Sequence, residues 1–203
     1  MLRILRNTDY PSRPWKNGGG TTRDILVSPP GASLDEFDWR LSLAHVDRDG
    51  PFSRFDSVDR TLVLLSGAMT LHEPDRRIEL VRGEPVEFPG ERPIEATLSG
   101  ASTLDFNVMT RRGRVTHSVR QEVFSTHASV EATQGSTIVL FALENGLRVE
   151  GESLNAYDTA VIAAQDGVMG AAISVSTDRV AALVVRIVDF RPNVLRTPWS
   201  FVS

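Results

Sequence analysis

The sequence predicts an all-β protein made of two jelly-roll β-barrels packed side by side in one chain. Three observations predict it. Short apolar segments rich in β-branched residues recur along the chain, with glycine, proline or acidic turn residues between them. Several of them alternate apolar and polar residues with period two. A weak internal repeat relates LVLLSGAMTLHEPDRRIELVRGEPVEF in the first half to IVLFALENGLRVEGESLNAYDTAVI in the second. Both run in the order apolar strand, turn, short strand, polar hairpin, and a turn into a valine-bearing strand. Regular short strands at this spacing favour a sandwich or barrel over alternating strands and helices.

The predicted strands of the first half are 24–28, 39–46, 61–67, 68–72, 77–81, 85–88, 94–100 and 103–109. In the last of these, TLDFNVM, Leu104, Phe106 and Val108 fall on one face and Asp105, Asn107 and Met109 on the other. The second half continues with 115–126, 136–143, 146–151, 157–164, 171–176 and 180–190. Periodicity alone would allow VAALVVRIVDF to be a buried helix, but its β-branched content favours a fully buried strand. These readings divide the chain into an N-terminal barrel, 1–112, and a C-terminal barrel with an extended tail, 113–203, with exchange of strands between them allowed. The tail RPNVLRTPWSFVS holds Pro192 and Pro198, which suit neither strand nor helix, so an extended arm packed through Trp199 is expected.

Bulk properties exclude several classes. The chain has 203 residues, 41% hydrophobic and 24% charged, as ordinary globular proteins do. A net charge of -4 and a pI near 5.6 argue against a generic nucleic-acid surface. With no cysteine there is no disulfide, thiolate metal site or thiol nucleophile. MLRILRNTDY lacks the apolar region and small-residue cleavage site of a signal peptide, and no apolar run reaches the roughly 20 residues of a membrane span. A cytoplasmic protein with no membrane partner is expected.

The stretch WKNGGGTTR carries three consecutive glycines, Gly18, Gly19 and Gly20, beside Lys16. A phosphate loop would need the lysine after the glycines and a helix next, and a dinucleotide fingerprint would need a strand before them. Neither order is present. The glycines are read as a bend with close backbone approach, feeding the first strand.

Charged residues inside strand patterns are the candidate chemistry: Arg40 after Trp39, Asp59 and Arg60 before TLVLLSG, and Asp105 with Asn107 in TLDFNVM. Each alone fits a solvent-facing strand; together they suit inward positions sharing one barrel cavity. The four histidines, His45, His72, His117 and His127, form no H-x-H pair and no metal-ligand spacing. The turn GEPVEFPGERP resembles the one that precedes the last metal-binding histidine in metal-dependent cupins, but no histidine follows it here. A hydrolase elbow G-x-S-x-G does not occur. Neither a metal nor another cofactor is expected.

WKNGGGTTRDI, FDWRLSLAHVDRDGPFSRF, VDRTLVLLSG and STLDFNVMTRR fall in the order and at roughly the spacing of the HutD/Ves family, which the chain resembles over its first 112 residues. The second half agrees only in its β character. One departure is FDSVDR, where that family commonly has a Pro-Gly turn; it changes a turn residue and leaves the charges. The resemblance implies a metal-free double cupin, or bicupin. It implies an accessory or regulatory role in bacterial histidine utilisation, with urocanate or N-formylglutamate as ligands and no established catalytic activity. Ves-type, stress-related members share these blocks without a firm tie to histidine breakdown.

The matching blocks contain the expected site. Arg60 and Arg40 are candidate clamps for a small carboxylate, with Lys16 as a third positive group. Asn17 lies beside it, and Asp105 and Asn107 would bond the ligand's other end. Trp15 either walls the pocket mouth or is a core tryptophan. Asp59, Arg23, Met109 and the three glycines support the site, Asp59 by orienting an arginine. The competing readings are a metal-independent enzyme acting on a similar acid, and an inert interaction scaffold; a homodimer is compatible with all three.

Overall fold

Alternation along each strand decides which side chains meet, and backbone pairing orders the strands into four sheets. The computed structural model describes residues 1–125, 127–164 and 167–190. The first strands are β1 Leu2–Leu5, β2 Ser12–Pro14, β3 Gly20–Ser28, β4 Trp39–Val46, β5 Gly50–Pro51, β6 Val58–Ser66 and β7 Met69–His72. Next come β8 Arg77–Glu79, β9 Pro85–Pro89, β10 Glu95–Leu98, β11 Thr103–Arg111, β12 Val115–Phe124 and β13 Ala128–Thr133. The last are β14 Ser136–Ala142, β15 Leu147–Val149, β16 Glu152–Leu154, β17 Thr159–Ala163, β18 Val168–Val175 and β19 Val180–Asp189. No helix among the described residues is long and apolar enough to cross a membrane.

The all-β, double jelly-roll reading holds. In the first half a six-stranded sheet, β2-β3-β4-β11-β6-β9, faces a four-stranded sheet, β5-β10-β7-β8. In the second a five-stranded sheet, β1-β17-β14-β19-β12, faces β13-β18-β15-β16. Each half is thus two opposed sheets rather than one closed barrel. The repeat has a structural counterpart: β4-β11-β6-β9 matches β12-β19-β14-β17, and β5-β10-β7-β8 matches β13-β18-β15-β16. The apolar segment 180–190 is the strand β19, paired on both sides by β12 and β14.

Strands β1, β2, β5, β13 and β16 were not among the predicted segments. All five lie on sheet edges, and three of them are only two or three residues long, where alternation carries little signal. β1 is an exchange of strands of the kind allowed across the division at residue 112. Leu2 pairs with Ile162 and Leu5 with Thr159, so the first strand completes the second half's sheet. The arm expected for 191–203 lies outside the described residues.

The two larger sheets pack back to back. Leu41, Leu43, Val63, Leu65, Phe106 and Val108 from one meet Val139, Phe141, Val161, Leu183 and Val185 from the other in a continuous core. The rings of Phe106 and Phe141 lie 4.6 Å apart, centroid to centroid. Since each such side chain contributes about 1.5–3 kcal/mol when fully buried, the seam is a hydrophobic core in its own right. Tyr10 pins it further: its hydroxyl donates to the Tyr157 carbonyl at 2.8 Å and lies 2.8 Å from Thr159 Oγ1, and burial raises the phenol's pKa.

Candidate functional site

With one face of the six-stranded sheet committed to the seam, its other face lines the interior of the first jelly roll. Alternation points Arg40, Ser42 and Ala44 of β4, Arg60, Leu62 and Leu64 of β6, and Asp105, Asn107 and Met109 of β11 inward. The register sets Asn107 between Ser42 and Leu62, and Met109 between Arg40 and Arg60. The two-faced reading of TLDFNVM is therefore correct: Phe106 and Val108 enter the seam, while Asp105 and Asn107 are buried on the inner side.

A chain of hydrogen bonds crosses this interior. Arg60, only 8% exposed, donates from Nη2 to Asn107 Oδ1 at 3.0 Å and from Nη1 to the Ser53 carbonyl at 3.2 Å. The Asn107 amide nitrogen donates in turn to Asp105 Oδ1. Two atoms of the chain are buried without a hydrogen-bond partner, Arg60 Nε and Asp105 Oδ2. The rings of Phe52, Phe55 and Phe88 surround the guanidinium at 5.4, 5.6 and 5.1 Å. Burial lowers the Arg60 pKa to about 10, with Asp105 opposing the shift and Arg40 adding to it, so the group stays charged at neutral pH. Burial raises the Asp105 pKa to about 7 against the pull of Asn107 and Arg60. The carboxyl is 1% exposed.

Arg40 shares this face, but its fork is engaged. Its Nε donates to Asp24 Oδ1 at 2.8 Å, and its Nη2 forms an ion pair with the same carboxylate. A bulge in β3 between Asp24 and Leu26 makes this geometry: Asp24 stays on the inner side while Ile25 and Leu26 both enter the seam. Met109 does not face a cavity. It packs with Phe37 and Val58 in a small cluster that closes this end of the jelly roll, where Phe37 is wholly buried.

The glycine stretch lies towards the other end. Gly20 pairs with Val46, six residues along β4 from Arg40, which is roughly 20 Å at the rise of a strand. The Trp15 N–H donates to the Gly20 carbonyl at 2.9 Å, and Asn17 Oδ1 accepts from the Gly19 N–H at 2.9 Å. Trp15 donates from its indole to Thr22 Oγ1 at 2.7 Å and packs against the inner cluster, level with Asp105 rather than Arg60. Lys16 and Asn17 are exposed, and Asn17 is spent on the turn. Each glycine has its own role: Gly18 has φ +66°, Gly19 lies tight against Asn17, and a Cβ on Gly20 would sit 2.2 Å from the His45 carbonyl oxygen.

Two supporting residues point away. Arg23 pairs with Leu43, a seam residue, and donates to the Asn7 carbonyl at 3.5 Å. Asp59 also lies on the seam side and does orient an arginine, but that arginine is Arg112, which donates from Nε at 2.9 Å.

The sequence reading missed two features. One is the aromatic ring set around Arg60, although Phe52 and Phe55 stand in the block DGPFSRF. The other is His117 on β12. Its Nε2 lies 2.7 Å from Thr61 Oγ1 and its Nδ1 2.7 Å from Thr110 Oγ1, so it ties the second half to the first. Burial lowers its pKa to about 4, with Asp59 opposing. An open cleft of about 310 Å³ adjoins it where β6, β9 and β12 diverge, lined by Asp59, Thr61, Glu87, Pro89, Thr116 and His117 among others. Spacing gave no hint of this, because the partners lie 56 and 7 residues away on another sheet. Among the described residues no three His, Asp or Glu side chains are grouped to hold a metal ion.

The HutD family model matches residues 7–183, and so runs through both halves rather than the first alone. An uncharacterized 21.2 kDa protein in the hutC 3' region of Pseudomonas putida is 33% identical over 179 residues, covering 84% of this chain and 91% of that one. Protein Ves of Citrobacter koseri is 38% identical over 124 residues, covering 59% of this chain and 64% of that one. Among solved structures, a protein of unknown function from Pseudomonas aeruginosa PAO1 superposes with TM-score 0.83 and 28% identity, covering 93% of this chain and all, 100%, of that one. HutD from Pseudomonas fluorescens SBW25 superposes with TM-score 0.81 at 24% identity, covering 94% and 100%. A cupin 2 conserved barrel domain protein from Leptotrichia buccalis, at TM-score 0.58 and 12% identity, shares the fold alone.

Proposed function

This chain belongs to the HutD family, and we propose that it is a metal-independent, small-molecule-binding accessory protein whose first jelly roll takes a small carboxylate. The observation that carries the proposal is the buried guanidinium of Arg60, which keeps Nε without a partner in an interior where Asp105 Oδ2 is also unpartnered. A buried donor and a buried acceptor left open cost stability, and a ligand supplying an anionic oxygen and an N–H or O–H would satisfy both. Arginine is the side chain best shaped for a carboxylate.

The internal repeat supports placing the site in the first half. The strands that correspond to β6 and β11 carry Ile138, Leu140, Ala142, Ala182 and Val184 at buried interior positions, a filled apolar core. Urocanate and N-formylglutamate, small acids of histidine breakdown, are the proposed ligands, and modulation of that pathway is the proposed role. The hutC-region location of the Pseudomonas putida relative supports this assignment. The similarity to Protein Ves favours a second reading, the same kind of site without a histidine-pathway role. Adjacent histidase and urocanase genes would decide between them.

A thermal-shift screen with urocanate, N-formylglutamate, histidine and formate tests the binding, because a ligand that binds only the native state raises its melting temperature. At least one acid is expected to stabilise the protein, and Arg60→Ala to abolish the shift while the protein remains folded. No shift with any of them at millimolar concentration rejects the reading.

A further inference from the structure

The interior of the first jelly roll holds a second ionisable group that carboxylate binding leaves unexplained. Asp105 is 1% exposed, it forms no ion pair with Arg60, and one oxygen is unpartnered. Asn107 stands between them, accepting from Arg60 and donating to Asp105. We propose that Asp105 sets the charge state the site accepts: an anion binds on Arg60 only with a proton on Asp105, so binding above neutral pH takes up one proton. The inference rests on the carboxylate-binding reading and adds a regulation to it.

The charges around Asp105 carry the inference. Its own strand adds Asn107 and the buried hydroxyl of Thr103, both uncharged. From β6 comes Arg60. From β4 comes Arg40, whose charge is matched by Asp24 on β3. The facing four-stranded sheet contributes the apolar Met69, Leu71 and Ala96 to this interior, and just past its strand β7 the buried carboxylate of Glu73 is matched by Arg76 and Arg92. One net positive group, Arg60, is therefore available to balance negative charge there. With Asp105 ionised, the ligand-free interior is already neutral, and an added carboxylate leaves an uncompensated anion in a buried space. Two carboxylates sharing one buried cation do not both ionise easily, so one takes a proton. Asp105 is the better acceptor, because burial has already raised its pKa to about 7, whereas the carboxylate of formate or N-formylglutamate is the conjugate base of a much stronger acid. The proton comes from solvent onto the open Oδ2; a protonated carboxyl keeps acceptor capacity for a ligand N–H or O–H, and its new O–H can donate to a ligand oxygen.

The linkage has a definite sign. Below about pH 7 Asp105 already carries its proton and binding releases or takes up none. Above it, each unit of pH makes protonation harder, and the dissociation constant is expected to rise towards tenfold per unit.

Formate and N-formylglutamate are suitable probes, since neither titrates between pH 6 and 9. Calorimetric titrations across that range, repeated at pH 8 in HEPES and in Tris at equal ionic strength, give both the affinity and the number of protons exchanged. Expected are weakening above pH 7 and uptake of close to one proton at pH 8. Asp105→Asn should bind with an affinity that no longer changes with pH between 6 and 9, whatever its absolute value. If either probe binds with constant affinity and equal heats in the two buffers, the proton coupling is rejected while the carboxylate site stands. A retained pH slope in Asp105→Asn also rejects it. If neither probe binds at any pH, the carboxylate site itself fails and takes the coupling with it. Should Asp105→Asn not fold, the two-buffer comparison on the wild type decides alone.

Discussion

Asn107 accepts a hydrogen bond from Arg60 at 3.0 Å across 47 residues of sequence, and the same amide donates to Asp105. Its removal would orphan one buried donor and one buried acceptor at once. Asn107→Ala is expected to cost about 2–4 kcal/mol, since each buried polar group left without a partner costs roughly 1–3 kcal/mol. Urea unfolding measures this; a loss below about 1 kcal/mol would mean the chain contributes little to stability.

His117 should make stability depend on pH. Its folded pKa of about 4 lies below the ordinary value of 6.5, so its contribution is fully present above 6.5 and is lost as pH falls towards 4. Asp105 acts in the opposite sense, because a raised pKa favours the folded state at low pH and that benefit is lost as pH rises through about 7. The two are separated by variants. His117→Ala should lose about 1–3 kcal/mol at pH 7 from its two hydrogen bonds, with the difference from wild type shrinking as pH falls from 6.5 to 4. Asp105→Asn should gain on the wild type over pH 4 to 7. Unfolding midpoints at a series of pH values would show both.

The three adjacent glycines should not be equivalent. Gly20→Ala forces a Cβ into the His45 carbonyl at 2.2 Å, at the start of the β3–β4 pairing where rigid backbone is met, and a cost of about 3 kcal/mol or more is expected. Gly19→Ala meets only side chains, Asn17 at 3.2 Å and Arg48 at 3.6 Å, which can shift. It should cost less than about 1 kcal/mol. Equal losses at the two positions would contradict the assignment of Gly20 to close backbone approach.

The first strand should stabilise the far half of the molecule. Ile4 packs against the interior core of the second jelly roll. Ile4→Ala is expected to cost about 1–3 kcal/mol, given that the site is only partly buried. Hydrogen exchange should show the loss of protection in β17, Thr159–Ala163, whose outer edge β1 pairs with. Loss confined to the first half would refute the crossover.

What could be read ahead of the structure depended on how local its cause is. Segment 39–46 was placed to the residue, because its alternation reports which side of a sheet each side chain takes. TLDFNVM was legible for the same reason, down to the face carrying Asp105 and Asn107. Arg23 and Asp59 were misplaced because their strands show no clear polarity between inner and outer face; the pairing partners decide it. Lys16 and Asn17 were grouped with Arg60 by proximity to the same sequence blocks, yet six residues of strand separate their end of the sheet from Arg40.

The sequence by itself determined the all-β class, the repeat, the bend at the glycines and the identity of the polar residues on strand faces. These follow from short-range sterics and from the two-residue period of a strand. Only the tertiary structure decided that β1 crosses to the second half, that His117 bridges to Thr61 and Thr110, and that Arg40 is held by Asp24 while Arg60 keeps an open N–H. Those contacts join residues that no local pattern relates. They exist because two sheets bury their apolar faces against each other and leave the inner face of one sheet to gather its charges.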